Sequence, residues 1–350
     1  MRILIVGKWS KELAVAKALA ASGEARIISY AGGINPGMLK LGAEIVTGDE
    51  DDLDAVVSCS REKKADLVFV GTETALAAGA VDRLQGAGLA AIGPTALQAR
   101  LESDKTFARS LLQEAGIPGN PEFRICRDRS QAARAIDEFD GRVAVKPGGL
   151  TEGLGVRISG DQLPTPGDAL AYAEYVLAQG IGGLPYLIIE ELLEGEEFTL
   201  QALVAGGELL PFPLVQDYKR LLEGDLGPNT GGMGSIAGRD GLLPFVDPGT
   251  REEALAIMRE TVSELDRRCR TPYRGFLYGQ FMITARGLRL IEYNVRPGDP
   301  EVLNCFAVMK GDLLEAFRCM AADSLAAAIE GLSFAPRASV CKFLVPSGYP

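Results

Sequence analysis

Over the first hundred residues, short apolar runs alternate with amphipathic segments, and this alternation restricts the fold more than any other feature of the chain. Residues 2–6, 26–30, 44–47 and 67–71 read as strands. Residues 10–22 and 73–84 read as helices, the first with Ser10 as N-cap and Gly23 beyond its end. Strands separated by helices cannot pair as hairpins, so they build a parallel sheet with helices on its faces. A Rossmann-like α/β domain is therefore expected over residues 1–100. Its first turn reads Gly7-Lys8-Trp9-Ser10-Lys11 where a dinucleotide site would carry GxGxxG, which argues against a nicotinamide cofactor. Lys8, Ser10 and the helix start are candidates for an anion, with an ordinary solvated loop as the equal alternative.

After residue 100 the pattern changes. A helix is expected over 102–115, stopped by Gly116-Ile117-Pro118, followed by a strand (122–127), a helix (130–138) and a strand (142–146) that ends in Lys146. Next comes Pro-Gly-Gly-Leu-Thr-Glu-Gly-Leu-Gly, whose glycines are Gly148, Gly149, Gly153 and Gly155. A lysine running into such a loop suits a phosphate cradle, although a plain mobile hairpin has the same composition. It is not a P-loop, because the GKS/T is absent. A helix (167–179) precedes a strand over 186–193, and an acidic run follows from Glu190 to Glu197; it reads as a solvated edge or as a nucleotide hinge. The stretch 224–234 is rich in glycine and reads as a long functional loop. Just before it, Asp217, Lys219 and Arg220 offer both charges to a zwitterionic or phosphorylated ligand. Amphipathic helices are expected over 249–268 and 312–320.

Residues 278–301 carry the densest chemistry. Two apolar runs flank Ala285-Arg286-Gly287, read as a three-residue hairpin loop that sets Gln280 opposite Glu292. A period of two places Leu290, Glu292, Asn294 and Arg296 on one face and Ile291, Tyr293 and Val295 on the other. Oxygen donors from Gln280, Glu292 and Asn294 suit Mg²⁺, held by few protein ligands plus substrate phosphates; the bland alternative is the polar face of an edge hairpin.

Composition narrows the chemistry. The chain has 350 residues and no histidine, which removes Ser-His-Asp and Cys-His catalysis and histidine metal sites. Its length favours two or three domains. A net charge of −11 argues against a general nucleic-acid surface. The six cysteines show no metal spacing, no apolar run is long enough to span a membrane, and the first residues read as a strand and not as a signal peptide. A cytoplasmic enzyme, monomeric or dimeric, is expected.

Taken together, these motifs resemble the ATP-grasp ligases, and within them the glycinamide ribonucleotide synthetase (phosphoribosylamine–glycine ligase) family. The resemblance rests on ESDK at 102–105, the lysine and glycine loop at 146–156, EELLEGEEFTLQALV at 190–204, QDYKR at 216–220, GPNTGGMG at 227–234 and IEYNVRPGDPE at 291–301. It implies an ATP-grasp fold over residues 101–330 with a lid subdomain at about 120–192. It also implies that residues 331–350 begin a truncated C-terminal domain. The implied reaction is an ATP- and Mg²⁺-dependent (or Mn²⁺-dependent) amide ligation of glycine to 5-phosphoribosylamine in purine biosynthesis, through an acyl phosphate. In that reading Lys105, Lys146 and the loop glycines hold ATP, Glu190, Leu193 and Glu197 form the adenine and ribose site, and Glu292, Asn294 and Gln280 bind the metal. Arg296, Lys219 and Asp217 act at the reacting centre, and Arg220, Thr230, Gly231, Gly232, Met233 and Asp299 line the substrates. The chain departs from the family pattern in its first βα loop, where a GSGxREH is replaced, and in the lid, where Leu154 stands for a lysine. Two other readings remain at this stage: a divergent ligase joining another amino acid and amine, and a nucleotide-binding regulator without turnover.

Overall fold

The computed structural model describes residues 1–151, 155–224 and 226–349. Gly153 and Leu154 of the glycine loop lie outside the described residues. The first sheet is parallel, as the alternation requires. It contains β1 (Arg2–Val6), β2 (Arg26–Ala31), β3 (Glu44–Thr47), β4 (Leu67–Val70) and the short β5 (Ala91–Ile92), in the order β3-β2-β1-β4-β5. Helices α1 (Ser10–Ala20), α2 (Pro36–Leu41), α3 (Leu53–Glu62), α4 (Glu73–Ala78) and α5 (Ala80–Gly86) connect and cover it. The single helix expected over 73–84 is two, because Gly79 adopts φ 92° and ends α4. Helix α1 has Trp9 and not Ser10 at its N-cap, since the Ser10 hydroxyl is used elsewhere.

A second break corrects the helix expected over 102–115. Helix α6 (Ala96–Ser103) ends where Asp104 turns extended, and the Asp104 carboxylate then accepts from Phe107 N to cap α7 (Lys105–Ala115). Lys105 thereby stands at the first turn of a new helix.

A four-stranded sheet follows, in the order β6 (Phe123–Cys126), β9 (Leu187–Glu191), β7 (Val143–Pro147), β8 (Arg157–Ile158), with α8 (Arg129–Glu138) and α9 (Pro166–Gln179) against it. Its apolar residues, among them Val143, Val145, Leu187 and Ile189, form a core of their own with Ala132, Tyr172 and Val176.

The largest sheet is antiparallel and runs β15 (Gly287–Asn294), β14 (Gly275–Thr284), β10 (Gly195–Ala205), β12 (Val215–Leu222), β13 (Leu226–Ala237), β18 (Ser339–Lys342), with β11 (Glu208–Pro211) on β10. Helix α10 (Pro248–Cys269) leads into β14, and α11 (Glu301–Val308) follows β15. Beyond them β16 (Met309–Lys310) pairs with β17 (Ser333–Phe334), around α12 (Leu313–Ala321) and α13 (Ala326–Gly331). This sheet shares its core with the first one: Phe69 of β4 packs 5.9 Å from Phe276 and 5.7 Å from Phe317, ring centre to ring centre. No helix among the described residues is long and apolar enough to cross a membrane.

Two expectations about this sheet are corrected. The glycine-rich stretch is a strand and not a loop, since β13 pairs with β12 through register shifts near Arg220. Its glycines make the strand possible: Gly234 lies at φ 158° with no room for a Cβ beside the Cys341 carbonyl, and Gly227 lies at φ 82°. In the hairpin, Gln280 does face Glu292, but the turn holds two residues, and a bulge inserts Ile291 so that Phe281 faces Leu290. One extra residue inverts the alternation. The buried face is therefore Leu288 and Leu290 before the bulge and Tyr293 and Val295 after it, while Ile291 is only half-buried.

Candidate active site

The ends of β12, β14 and β15, the start of α7 and the end of β7 bring charged side chains to one place. Glu292 is at its centre. Burial alone would raise its carboxyl, but Lys219, Lys105, Lys146 and Arg296 outweigh burial and hold it below the usual glutamate range. Each of these four cations is in direct contact with another group and acts on Glu292 through space.

Each cation has its own anchorage. Lys105 donates to the Gly149 carbonyl at 2.9 Å, and its backbone N–H donates to Gly148 O, so the start of α7 is tied to the glycine loop. Burial lowers the Lys105 ammonium below the usual lysine range despite Glu292. Lys146 lies 2.8 Å from Glu190, which is itself held by Arg109. Burial would raise the Glu190 carboxyl; Arg109 and Lys146 instead pull it down to about 2. Lys219 lies 3.6 Å from Asp217 and 3.7 Å from Glu197, and these carboxylates raise its ammonium against the effect of burial.

Arg296 lies at the junction with the first sheet, 3.2 Å from Glu102 and 3.5 Å from Glu73, and 3.3 Å from the Asn294 side-chain oxygen. Glu73 in turn accepts from Lys11 at 3.2 Å. For Glu73 burial is overcome by Arg296 and Lys11, and its carboxyl falls to about 2. The carboxyl of Glu102, buried and beside Glu73, is raised by burial in spite of Arg296.

The other expected residues are distributed as follows. Gln280 donates to Glu197 at 2.6 Å, which sets Glu197 beside the oxygen donors of β14 and β15, while Gln280 keeps its carbonyl oxygen. The Glu190 carboxylate is taken up by Arg109 and Lys146, so it is not turned outward as a ribose ligand. Leu193 is half-buried just after β9. Arg220 contacts Asp161 of the β6–β9 subdomain and the Gly227 carbonyl, away from Glu292. Thr230 bonds within the β12–β13 hairpin, its hydroxyl donating to Lys219 O and accepting from Gly232 N. Gly232 abuts Pro300, Gly231 lies near the Tyr349 hydroxyl, and Met233 O accepts from Phe343 N. The Asp299 carboxylate accepts from Ser10 Oγ at 2.6 and 2.7 Å and from Lys11 N at 3.2 Å. The anion at the α1 N-terminus is thus the protein's own, and Lys8 lies instead 4.0 Å from Glu50 and over the Trp9 ring.

The glycine loop is built for close backbone approach. A Cβ on Gly149 would overlap the Gly182 carbonyl, and one on Gly148 would press on Tyr186. Tyr172 OH donates to Gly155 O at 2.7 Å. Gly149→Ala is expected to displace the loop and lower kcat/KM for ATP by about a hundredfold, the scale of a 1 Å misplacement. Steady-state kinetics check this; an unchanged kcat/KM would show that the loop does not meet the nucleotide.

Sequence reasoning missed Glu301, Glu73 and Tyr278. Glu301 opens α11, accepts from Tyr278 OH at 2.8 Å, and is raised by burial and by Asp217 to about 7. Its place directly after the Gly298-Asp299-Pro300 turn was the one available signal. Because the folded value exceeds the unfolded one of 4.5, the folded protein keeps a proton that the unfolded chain has released. That contribution is present below pH 4.5 and lost as pH rises through about 7. Glu301→Gln removes it and should gain on the order of 3 kcal/mol on the parent between pH 5 and pH 8. Urea midpoints at both pH values test this, and parallel pH dependence in the two proteins would refute it.

The donor set suits Mg²⁺. It is hard oxygen from Glu292, Asn294 and Gln280, with an ionised carboxylate at its centre. Among the described residues no three His, Cys, Asp or Glu side chains form a closed metal cage. A few protein oxygens completed by phosphates is the usual arrangement for this ion.

Comparisons with known proteins agree with this geometry. The family model for the N domain of phosphoribosylglycinamide synthetase matches residues 1–102, and that for its ATP-grasp (A) domain matches residues 103–302. A phosphoribosylamine–glycine ligase of Methanopyrus kandleri is 43% identical over 352 aligned residues, spanning 100% of this chain and 78% of the relative. One from Methanoregula boonei is 44% identical over 350 residues, spanning 100% and 79%. The crystal structure of a phosphoribosylamine–glycine ligase from Thermotoga maritima superimposes with a TM-score of 0.81 at 24% identity, covering 100% of this chain and 82% of that one, and so shares the fold.

Proposed function

Because the chain belongs to the phosphoribosylglycinamide synthetase family, we propose that it is an ATP- and Mg²⁺-dependent ligase, forming ADP, that joins glycine to 5-phosphoribosylamine in purine biosynthesis. The observation that carries this reading is the family match over residues 1–302, in a chain that gathers Lys105, Lys146, Lys219 and Arg296 at one site and has no histidine. Among its described residues such a site shows no activated nucleophile of its own. It is built to neutralise charge on phosphates and carboxylates.

In the first step a glycine carboxylate oxygen attacks the γ-phosphorus, the bond to the β,γ-bridging oxygen breaks, and ADP leaves. In the second the amine nitrogen attacks the glycyl carbon, inorganic phosphate leaves with the former carboxylate oxygen, and the amine loses a proton. Lys105, Lys146 and the backbone of the 148–155 loop hold the nucleotide phosphates. Glu292, Asn294 and Gln280 would hold the metal ion, which supplies further positive charge to the phosphates when bound. Arg296 offsets charge at the glycine carboxylate, and Asp217, with Glu301 beside it, receives the glycine ammonium. Lys219, flanked by Asp217 and Glu197, keeps these two carboxylates apart from Glu292. Glu190 serves the nucleotide through Lys146, and Leu193 packs at the base site. Residues 1–100 form the domain that completes the amine site, and 120–192 the lid that excludes water from the acyl phosphate.

The test is ADP release with ATP, Mg²⁺, glycine and phosphoribosylamine generated in the assay, compared with omission of each. Turnover that needs both glycine and the amine is expected. Turnover restored only by another acid or amine would overturn the substrate assignment.

A further inference from the structure

The residue that organises the ATP side of the site has no role in the reading above. Arg109, on α7, is 3% exposed, and all five of its N–H groups have acceptors. Nε donates to Glu190 Oε1 at 2.7 Å and Nη2 to Glu190 Oε2 at 3.0 Å, a bidentate pair. Nη2 also donates to Ile291 O at 2.6 Å and Nη1 to Leu290 O at 3.0 Å. The last N–H reaches the Asn120 side-chain oxygen at 3.5 Å, and Asn120 Nδ2 donates back to Arg109 O at 3.0 Å.

These acceptors come from three places that a nucleotide site must keep in register. Asn120 and Glu190 lie at the two points where the chain enters and leaves the β6–β9 subdomain. Leu290 and Ile291 form the bulge immediately before Glu292, where the ladder to β14 is interrupted and the carbonyls need other donors. Lys146 reaches the same two groups, Glu190 at 2.8 Å and Ile291 O at 3.4 Å. Glu190 therefore has two cations competing for it. Arg109, planar and bidentate, occupies both oxygens, and the ammonium of Lys146 shares only one of them.

We propose that Arg109 is a positioning residue: by saturating Glu190 and the bulge carbonyls it leaves Lys146 free to turn to the nucleotide phosphates, and it fixes both crossings of the lid relative to the strand that carries Glu292. The proposal rests on the assignment of Lys146 to ATP in the function given above. Without Arg109, Glu190 keeps Lys146 as its sole counterion, and the ammonium is withheld from phosphate. Lysine cannot substitute, since it offers three donors from a point where five are used in a planar fork.

The test is calorimetric binding of MgADP to the full chain, which needs neither glycine nor amine and so stands apart from the substrate assignment. Arg109→Lys should bind MgADP at least tenfold more weakly while its thermal midpoint without nucleotide shows that it remains folded. Arg109→Met should bind more weakly still. The decisive variant is Arg109→Met with Glu190→Gln, which removes the anion that would capture Lys146. Recovery of at least fivefold relative to Arg109→Met alone is expected. Thermal midpoints of both variants without nucleotide separate this from simple relief of a stranded charge, which would raise the midpoint and leave MgADP affinity where it was; equal or weaker binding by the double variant would overturn the proposal. MgADP binding by Arg109→Lys within twofold of the parent would overturn it too.

Discussion

Glu292→Gln lowers turnover by two to three orders of magnitude, the loss seen when one strong electrostatic contact to a transition state is removed. The substitution keeps the shape of the side chain and its pairing opposite Gln280, so the hairpin is preserved. What it removes is a negative charge that acts on Lys219, Lys105, Lys146 and Arg296 alike. The metal ion loses its single charged ligand among the three proposed, and the four cations lose one of the anions that offset them. Metal affinity should therefore fall in parallel with kcat, which titration of activity against Mg²⁺ would show. A variant within tenfold of the parent at saturating Mg²⁺ would remove Glu292 from the site.

Arg296→Met should have the second-largest effect, and on stability as well as rate. Its guanidinium lies between Glu102, which has almost no exposure, and Glu73, and both carboxylates depend on it. Removing one member of a buried ionic cluster costs roughly 3–5 kcal/mol because the remaining charges keep their desolvation penalty. The rate should fall about a hundredfold or more for loss of charge at the glycine carboxylate. Urea denaturation separates the two effects. Adding Glu102→Gln should return part of the stability and none of the rate, since it removes the stranded charge without restoring the guanidinium. A single variant as stable as the parent would show that the Arg296 cluster is not coupled to folding.

The sequence was informative where a local rule holds without interruption. The parallel first sheet follows from alternation. The pairing of Gln280 with Glu292 holds for a different reason than the one expected: the bulge at Ile291 restores the register that the two-residue turn shifts by one. The expectation for β15 failed at Leu290 and Ile291, which were placed with the polar and the buried face respectively, because a bulge needs only one extra residue and leaves no mark in composition. The glycines of β13 were read as loop residues, since their purpose becomes visible only when Cys341 and Pro300 are seen pressed against them. The helix breaks at Gly79 and Asp104 had local signals, a glycine and a capping aspartate, each hidden inside an apolar period that continues past it. The carboxylates of Glu73 and Glu301 were invisible for another reason. They become part of the site only through packing between segments far apart in the chain, as when Arg296 meets both Glu73 and Glu102. Arg109 belongs to the same class: nothing near it in sequence announces that Glu190, Asn120 and the bulge will surround it.

The proposed reaction is a ligation through an acyl phosphate on a site that stabilises charge and provides no covalent attachment. Turnover with glycine labelled with ¹⁸O in its carboxylate tests this most directly. The inorganic phosphate released is expected to carry one labelled oxygen per molecule of amide formed. Amide formation with unlabelled phosphate would mean that the glycine carboxylate never attacks the γ-phosphorus, and the roles assigned to Arg296, Lys146 and Glu292 would have to be withdrawn.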